Sequence, residues 1–134
     1  MSFTIQHPTS GLSWASNEDG QIILSSATAS TYITIENGYT QNISSELCVR
    51  SLGSTMYETG YYGAIPEFGW SVNDDGSVYS EFNGPQWVGE DLTASAEPFF
   101  WKKVPVKRAA ALLAAASAPA PVAEPVPINF SSEV

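Results

Sequence analysis

Basic residues are the scarcest feature of this sequence: five lysines and arginines stand against fourteen aspartates and glutamates, a net charge of −9 over 134 residues. Up to Trp101 twelve carboxylates face a single base, Arg50. The other four bases, Lys102, Lys103, Lys107 and Arg108, crowd into one short stretch. An acidic body repels phosphate backbones, which sets nucleic acid aside as an expected partner. The basic stretch reads as a solvated hinge that offsets part of the charge. Cysteine is reduced to Cys48, so neither an intrachain disulfide nor a cysteine-based metal site is expected, and a reducing compartment fits best.

Catalytic groups are equally sparse. The sole histidine, His7, precedes Pro8 near the N-terminus, where a loop or edge position is expected. Cys48 sits in the β-prone run Leu47-Cys48-Val49 and reads as a buried small hydrophobe rather than a thiolate. Nucleophilic catalysis needs a base beside the nucleophile, and neither residue suggests such a pair. The carboxylate pairs Asp74-Asp75 and Glu90-Asp91 are adjacent in sequence, so their side chains point to different sides. Glu18, Asp19, Asp74 and Asp75 are hard oxygen donors, but turn chemistry already accounts for them and the calcium-loop spacing is missing. Glycine-rich phosphate loops and zinc spacings are missing too. The expectation is a chain that is not an enzyme, with no catalytic residue, cofactor or metal.

Long apolar runs are also lacking. None approaches the ~20 residues of a membrane span, and residues 1–8 carry neither the basic nor the apolar part of a secretory leader. A cytoplasmic location is expected, with cell wall or secretion as the alternative. Charged residues make up 14% of the chain, so neutral polar side chains must cover the surface.

What is present is β structure. Short β-prone runs cover Gln21 to Ser25, Thr31 to Glu36, Tyr39 to Ile43, Glu46 to Leu52, Met56 to Ala64, Phe68 to Val72, Ser77 to Phe82, Gln86 to Val88 and Phe99 to Val106. Turn signals separate them, among them Asn37-Gly38, the favoured hairpin dipeptide because both central positions take positive φ. No helical stretch precedes residue 107. The pattern predicts a mainly β fold, a small antiparallel sandwich or barrel. Residues 1–106 form the expected β domain and 107–134 an alanine- and proline-rich C-terminal arm. In that arm Lys107 to Ala118 has the highest helix propensity of the chain, and the prolines from Pro119 onward favour an extended segment.

An internal repeat is the sharpest signal. Trp14-Ala15-Ser16-Asn17-Glu18-Asp19-Gly20-Gln21-Ile22 and Trp70-Ser71-Val72-Asn73-Asp74-Asp75-Gly76-Ser77-Val78 keep tryptophan, turn and β-branched residue at the same offsets, 56 residues apart. Each reads as a strand carrying an aromatic, a tight turn with glycine at positive φ, and a second strand. Two similar hairpins sharing one core are expected.

Gly63-Ala64-Ile65-Pro66-Glu67-Phe68-Gly69-Trp70-Ser71-Val72-Asn73-Asp74-Asp75-Gly76 resembles the C-terminal domain of fungal PIR-type cell-wall mannoproteins, where a Gly-Ala-Ile segment leads to Gly-Trp-Ser-Val, a turn and a strand. The resemblance implies a fungal-type β domain with structural rather than enzymatic work. This chain departs from the family in having one cysteine instead of paired ones.

Three functions follow as expectations. The first is a structural, self-assembling protein whose arm, through Leu112, Leu113, Ile128 and Phe130, docks onto a second copy as a homo-oligomer contact or onto another partner. The second is a lectin-like carbohydrate-binding module. Trp14, Trp70, Trp87 and Trp101 with Tyr57, Tyr61 and Tyr62 exceed what a small core needs, and exposed rings stack on sugars. Trp70 and Trp101 are expected in the core. Trp87, in the stretch Asn83-Gly84-Pro85-Gln86-Trp87, is the expected exposed ring, and Asn83, Gln86, Tyr61 and Tyr62 are the other expected ligand-binding residues. The third is a protein inhibitor or effector.

Overall fold

In the N-terminal strand β1 (Ser2–Gln6), Phe3 and Ile5 alternate with polar neighbours, and the structure buries both at 1% and 0% exposure. This strand lies inside the larger of two sheets. The computed structural model describes residues 1–63, 65–81 and 84–106. The expected alanine-rich helix and proline-rich segment, with Leu112, Leu113, Ile128, Phe130 and also Asn83, lie outside the described residues. The chain divides into one unit of Met1 with 3–104 and a second of Ser2 with 105–134. The core and the candidate site belong to the first unit.

After β1 come β2 (Ser13–Ser16), β3 (Ile22–Ser25), β4 (Tyr32–Thr34), β5 (Thr40–Asn42), β6 (Cys48–Leu52) and β7 (Thr55–Thr59). They hydrogen-bond in the order β3-β2-β1-β4-β5-β6-β7, and β12 (Lys102–Val106) pairs with β1. The two ends of this order meet. Gln21 bridges Tyr57, and the Glu58 N–H donates to the Gly20 carbonyl at 2.7 Å. The smaller sheet has the order β11-β10-β9-β8, from β8 (Ser71–Val72), β9 (Val78–Ser80), β10 (Gln86–Val88) and β11 (Ala94–Ser95). The protein is mainly β, built of antiparallel sheets. Its only helical pieces among the described residues are single 3₁₀ turns at Glu36–Gly38 and Pro66–Phe68. No helix among the described residues is long and apolar enough to cross a membrane.

Both sheets contribute to one core. Phe3, Ile5, Trp14, Ile22, Tyr32, Val49 and Met56 come from the large sheet, Val72, Val78 and Val88 from the small one, and Trp70 and Trp101 from the segments leading into β8 and β12. The Trp14 ring meets the Trp101 ring edge-on, with centroids 5.5 Å apart. Trp101 also donates its indole N–H to the Val88 carbonyl at 3.0 Å, which satisfies its one polar side-chain atom in the core.

The repeated motifs fold alike. In each, the asparagine before the loop accepts from the glycine N–H and donates to the residue after the glycine. Gly20 N bonds Asn17 O at 3.0 Å and Asn17 N bonds Gln21 O at 3.0 Å; Gly76 N bonds Asn73 O at 3.0 Å and Asn73 N bonds Ser77 O at 2.8 Å. This is a three-residue hairpin loop with a left-handed glycine, at φ 81° and 93°. Both glycine carbonyls then accept a backbone N–H from a later segment, Glu58 for Gly20 and Trp101 for Gly76. Trp14 and Trp70 are both fully buried, and neither indole N–H has a partner among the described residues.

Several expectations shift at the boundaries. Asn37 and Gly38 both take positive φ, as the dipeptide requires, but the flanking strands close at Thr34 and Thr40. In β4 Tyr32 is the buried residue. The run expected from Met56 to Ala64 ends as a strand at Thr59, and Phe68 begins no strand because Pro66 starts a 3₁₀ turn there. His7 takes a loop position, but a buried one: it is 9% exposed and directly follows an interior strand.

Candidate functional site

The outer face of the small sheet carries a row of four residues. Ser71 pairs with Tyr79, Tyr79 with Trp87, and Trp87 with Ser95, and directly paired residues share a face. Their neighbours Val72, Val78 and Val88 belong to the core, so alternation turns Tyr79 and Trp87 outward. Both are half-buried. Their ring centroids lie 5.2 Å apart with the planes inclined at 54°, an angled aromatic wall rather than a flat plate.

Beside this row lies a groove of about 410 Å³ lined by Pro66, Gly69, Ser71, Tyr79, Ser80 and Glu81. Its size is that of a small-ligand site. The Tyr79 hydroxyl donates to Glu81 Oε2 at 3.1 Å. Partial burial, then the hydrogen bond to Glu81 and its charge, raise the Tyr79 hydroxyl above the ordinary tyrosine pKa, so it remains a donor. The Ser71 hydroxyl is committed to the Gly38 carbonyl at 2.7 Å, which ties the groove wall to the β4–β5 loop.

A second group of aromatics adjoins it through Gly69, where a Cβ would lie 3.1 Å from the Pro66 carbonyl and 4.0 Å from the Tyr39 ring. Tyr39 meets Tyr61 at 6.0 Å, and both Tyr61 and Tyr62 stand edge-on to Phe68 at 5.3 and 5.5 Å. The Arg50 guanidinium sits 5.4 Å from the Tyr62 and Phe68 ring centres, a cation–π position for the one base that precedes Trp101. Tyr62 is 63% exposed. The Tyr61 hydroxyl is raised by partial burial first, then by the charge of Glu36.

The residues expected from sequence are therefore distributed. Trp87, expected to be exposed, lies on the outer face of the small sheet and is half-buried. Tyr61 and Tyr62 do not line the groove and pack instead on Phe68 in the adjoining aromatic group. Gln86 is separated from Trp87: alternation turns it to the other face, where it pairs with Ser80 and lines a different groove with Gly53, Ser54 and Ala94. Asn83 lies outside the described residues. Tyr79 and Glu81, which line the groove itself, are not among the residues that the sequence marks out. The run Ser77 to Phe82 shows Tyr79 alternating with Val78 and Ser80, but only the strand register reveals that Tyr79 sits opposite Trp87.

The titratable groups with a chemical reputation are engaged elsewhere. His7 Nδ1 accepts from the Thr9 and Ser10 N–H groups at 3.3 and 3.1 Å, which leaves Nε2 to donate to Glu90 Oε2 at 2.8 Å. Its ring packs against Phe99 and Trp101. Cys48 is buried, and burial followed by the nearby Glu58 charge pushes its thiol up, away from thiolate character. Asp75 and Asp91 are lowered chiefly by hydrogen bonds from Ser77 and Thr93 within their own turns. No three histidine, cysteine or acidic side chains converge as metal ligands among the described residues.

No protein-family model, curated protein or solved structure matches the chain.

Proposed function

We propose that this protein is a non-enzymatic carbohydrate-binding module that holds a sugar chain against the outer face of its small sheet. The observation that carries the reading is the cross-strand row Ser71–Tyr79–Trp87–Ser95, with the groove beside it that Ser71, Tyr79 and Glu81 help to line. Aromatic faces stack on the apolar faces of sugar rings while hydroxyls and carboxylates bind their OH groups. Here the rings sit on paired strands, so little conformational freedom is lost on binding. We read the body as a partly closed barrel covered by the small sheet, a scaffold that leaves this face open. The acidic body favours such a ligand over a nucleic acid.

The test is a titration of tryptophan fluorescence with a panel of glucan, chitin and galactoside oligomers, on the full chain and on Trp87→Ala. Binding is expected to shift or quench the emission of the full chain with at least one glycan, and Trp87→Ala is expected to abolish it. Flat titrations across the panel would remove the reading. The self-assembly reading rests on Leu112, Leu113, Ile128 and Phe130, outside the described residues. Light scattering on the full chain and on residues 1–106 separates it, because an assembly arm makes the full chain larger than a monomer and the truncated one monomeric.

A further inference from the structure

We propose that the groove selects a cationic amino-sugar chain, one bearing free ammonium groups, over neutral and acidic sugars. This rests on the carbohydrate reading above and names the class of glycan. Glu81 lines the groove at the Tyr79 end, and its side chain is solvent-exposed. Through Oε2 it accepts the Tyr79 hydroxyl, so the carboxylate is oriented by the same ring that forms half of the aromatic wall. A sugar ring seated on Tyr79 and Trp87 therefore brings its ring substituents toward this carboxylate. A hydroxyl there gains one hydrogen bond; an ammonium gains a charge-assisted one.

The acidic side chains near the groove act in the same direction, and the nearby base Lys103 is paired with Asp74 at 3.2 Å. None of the described residues lining the groove is basic. Glu67 follows the lining residue Pro66 in the 3₁₀ turn, and Glu36 stands next to the Tyr61 hydroxyl in the adjoining aromatic group. Arg50, the one base before Trp101, lies over the Tyr62 and Phe68 rings. Uronic acids and sulfated sugars meet like charge at this face, and acetylated or neutral sugars gain nothing from it. A polycationic glycan is also drawn in at longer range by the net charge of −9, an attraction that salt screens.

The test compares a glucosamine oligomer with its fully N-acetylated counterpart of equal length, by calorimetry or Trp87 fluorescence, on the full chain and on Glu81→Gln. That substitution keeps an acceptor for the Tyr79 hydroxyl and removes the charge. The glucosamine oligomer is expected to bind about tenfold more tightly at low salt. Glu81→Gln or high salt is expected to erase that difference while leaving the melting temperature unchanged. Equal affinity for the two oligomers, with Glu81→Gln without effect, overturns the charge selection and leaves the carbohydrate reading standing. No binding of either oligomer, or of any neutral glycan, overturns both. Tighter binding of a uronic-acid oligomer than of either also overturns the selection.

Discussion

Tyr32 donates its hydroxyl hydrogen to the carboxylate of Glu58, and both side chains are sealed in the large sheet, at 0% and 2% exposure. The other Glu58 oxygen accepts from Asn42 Nδ2 at 3.1 Å. Asn42 cannot turn over, because its Oδ1 already accepts from the Ser44 and Ser45 N–H groups at 2.9 and 3.3 Å. Among the described residues no base pairs with this carboxylate, so neutral donors on β4 and β5 hold a buried acid of β7. Tyr32→Phe removes a donor from it and is expected to cost about 1–3 kcal/mol. Glu58→Gln, though the same shape, sets one amide NH₂ against another at Asn42 or turns its NH₂ toward the Tyr32 hydroxyl, and is expected to cost a comparable amount. Urea denaturation of both variants checks the pair.

The same contact predicts an alkaline limit. Burial first, and then the charge of Glu58, hold the Tyr32 hydroxyl well above the ordinary tyrosine pKa. A group raised on folding contributes stability that is complete below its unfolded pKa, about 10 for tyrosine, and that is lost as pH rises toward the folded value. Stability is expected to fall above about pH 10, and less steeply in Tyr32→Phe, which starts lower but has no buried hydroxyl to ionise. Equal alkaline slopes would show that Tyr32 does not report this burial.

The two repeat glycines are expected to differ sharply despite identical loops. A Cβ on Gly76 would lie 1.7 Å from the Trp101 carbonyl oxygen, whereas one on Gly20 would lie 3.0 Å from the Glu58 carbonyl oxygen. Gly11, also at positive φ, has nothing within 4 Å. Gly11→Ala is expected to cost about 1 kcal/mol for backbone strain alone. Gly20→Ala adds a tight contact, and Gly76→Ala, which displaces backbone at the core tryptophan, is expected to cost more than about 4 kcal/mol. Thermal melts that fail to rank Gly76, Gly20 and Gly11 in that order would contradict this geometry.

These glycines also show how much of the fold is legible in the sequence. The tryptophan–turn–strand repeat is readable because it is local: loop length and glycine position follow from a few adjacent residues, and Trp70 is in the core as expected, whereas Trp14, counted among the surplus aromatics, is fully buried as well. β1 is not, although Phe3 and Ile5 alternate as a strand should, because a five-residue run has no sequence signal for an interior place in a sheet. The groove is half legible. Trp87 stands out because it follows a turn, but its partner Tyr79 depends on strand register, and register is fixed by the whole sheet. Gln86 does not share a face with Trp87 for a simpler reason: adjacent strand residues face opposite ways.

His7 is expected to be a structural link between the N-terminal loop and the β10–β11 loop. Two backbone N–H groups point at Nδ1, so the proton of the neutral ring sits on Nε2, facing Glu90. Nitrogen-15 spectra are expected to show the Nε2–H tautomer. His7→Ala loses the ring packing against Phe99 and Trp101 along with both acceptor bonds, and is expected to cost about 2–3 kcal/mol. Glu90→Gln keeps an exposed acceptor and is expected to cost less than about 1 kcal/mol. A larger effect at Glu90 than at His7 would mean that the Nε2–Glu90 hydrogen bond, rather than the ring packing, holds the loops together.

The four tryptophans give the least demanding check of which face is open. Trp14, Trp70 and Trp101 are 0%, 0% and 3% exposed, while Trp87 is half-buried beside Tyr79. A neutral quencher such as acrylamide is expected to reach Trp87 and leave the other three almost untouched, giving a downward-curving quenching plot. Trp87→Phe is expected to remove the quenchable part while leaving the fold intact, because an aromatic ring at this outer position still packs on Tyr79. Iodide is expected to quench less than acrylamide, since Glu81 bonds Tyr79 next to the indole and repels an anion. If Trp87→Phe leaves the quenching curve as it was, the small sheet presents a different face to solvent, and the aromatic row cannot be where a sugar binds.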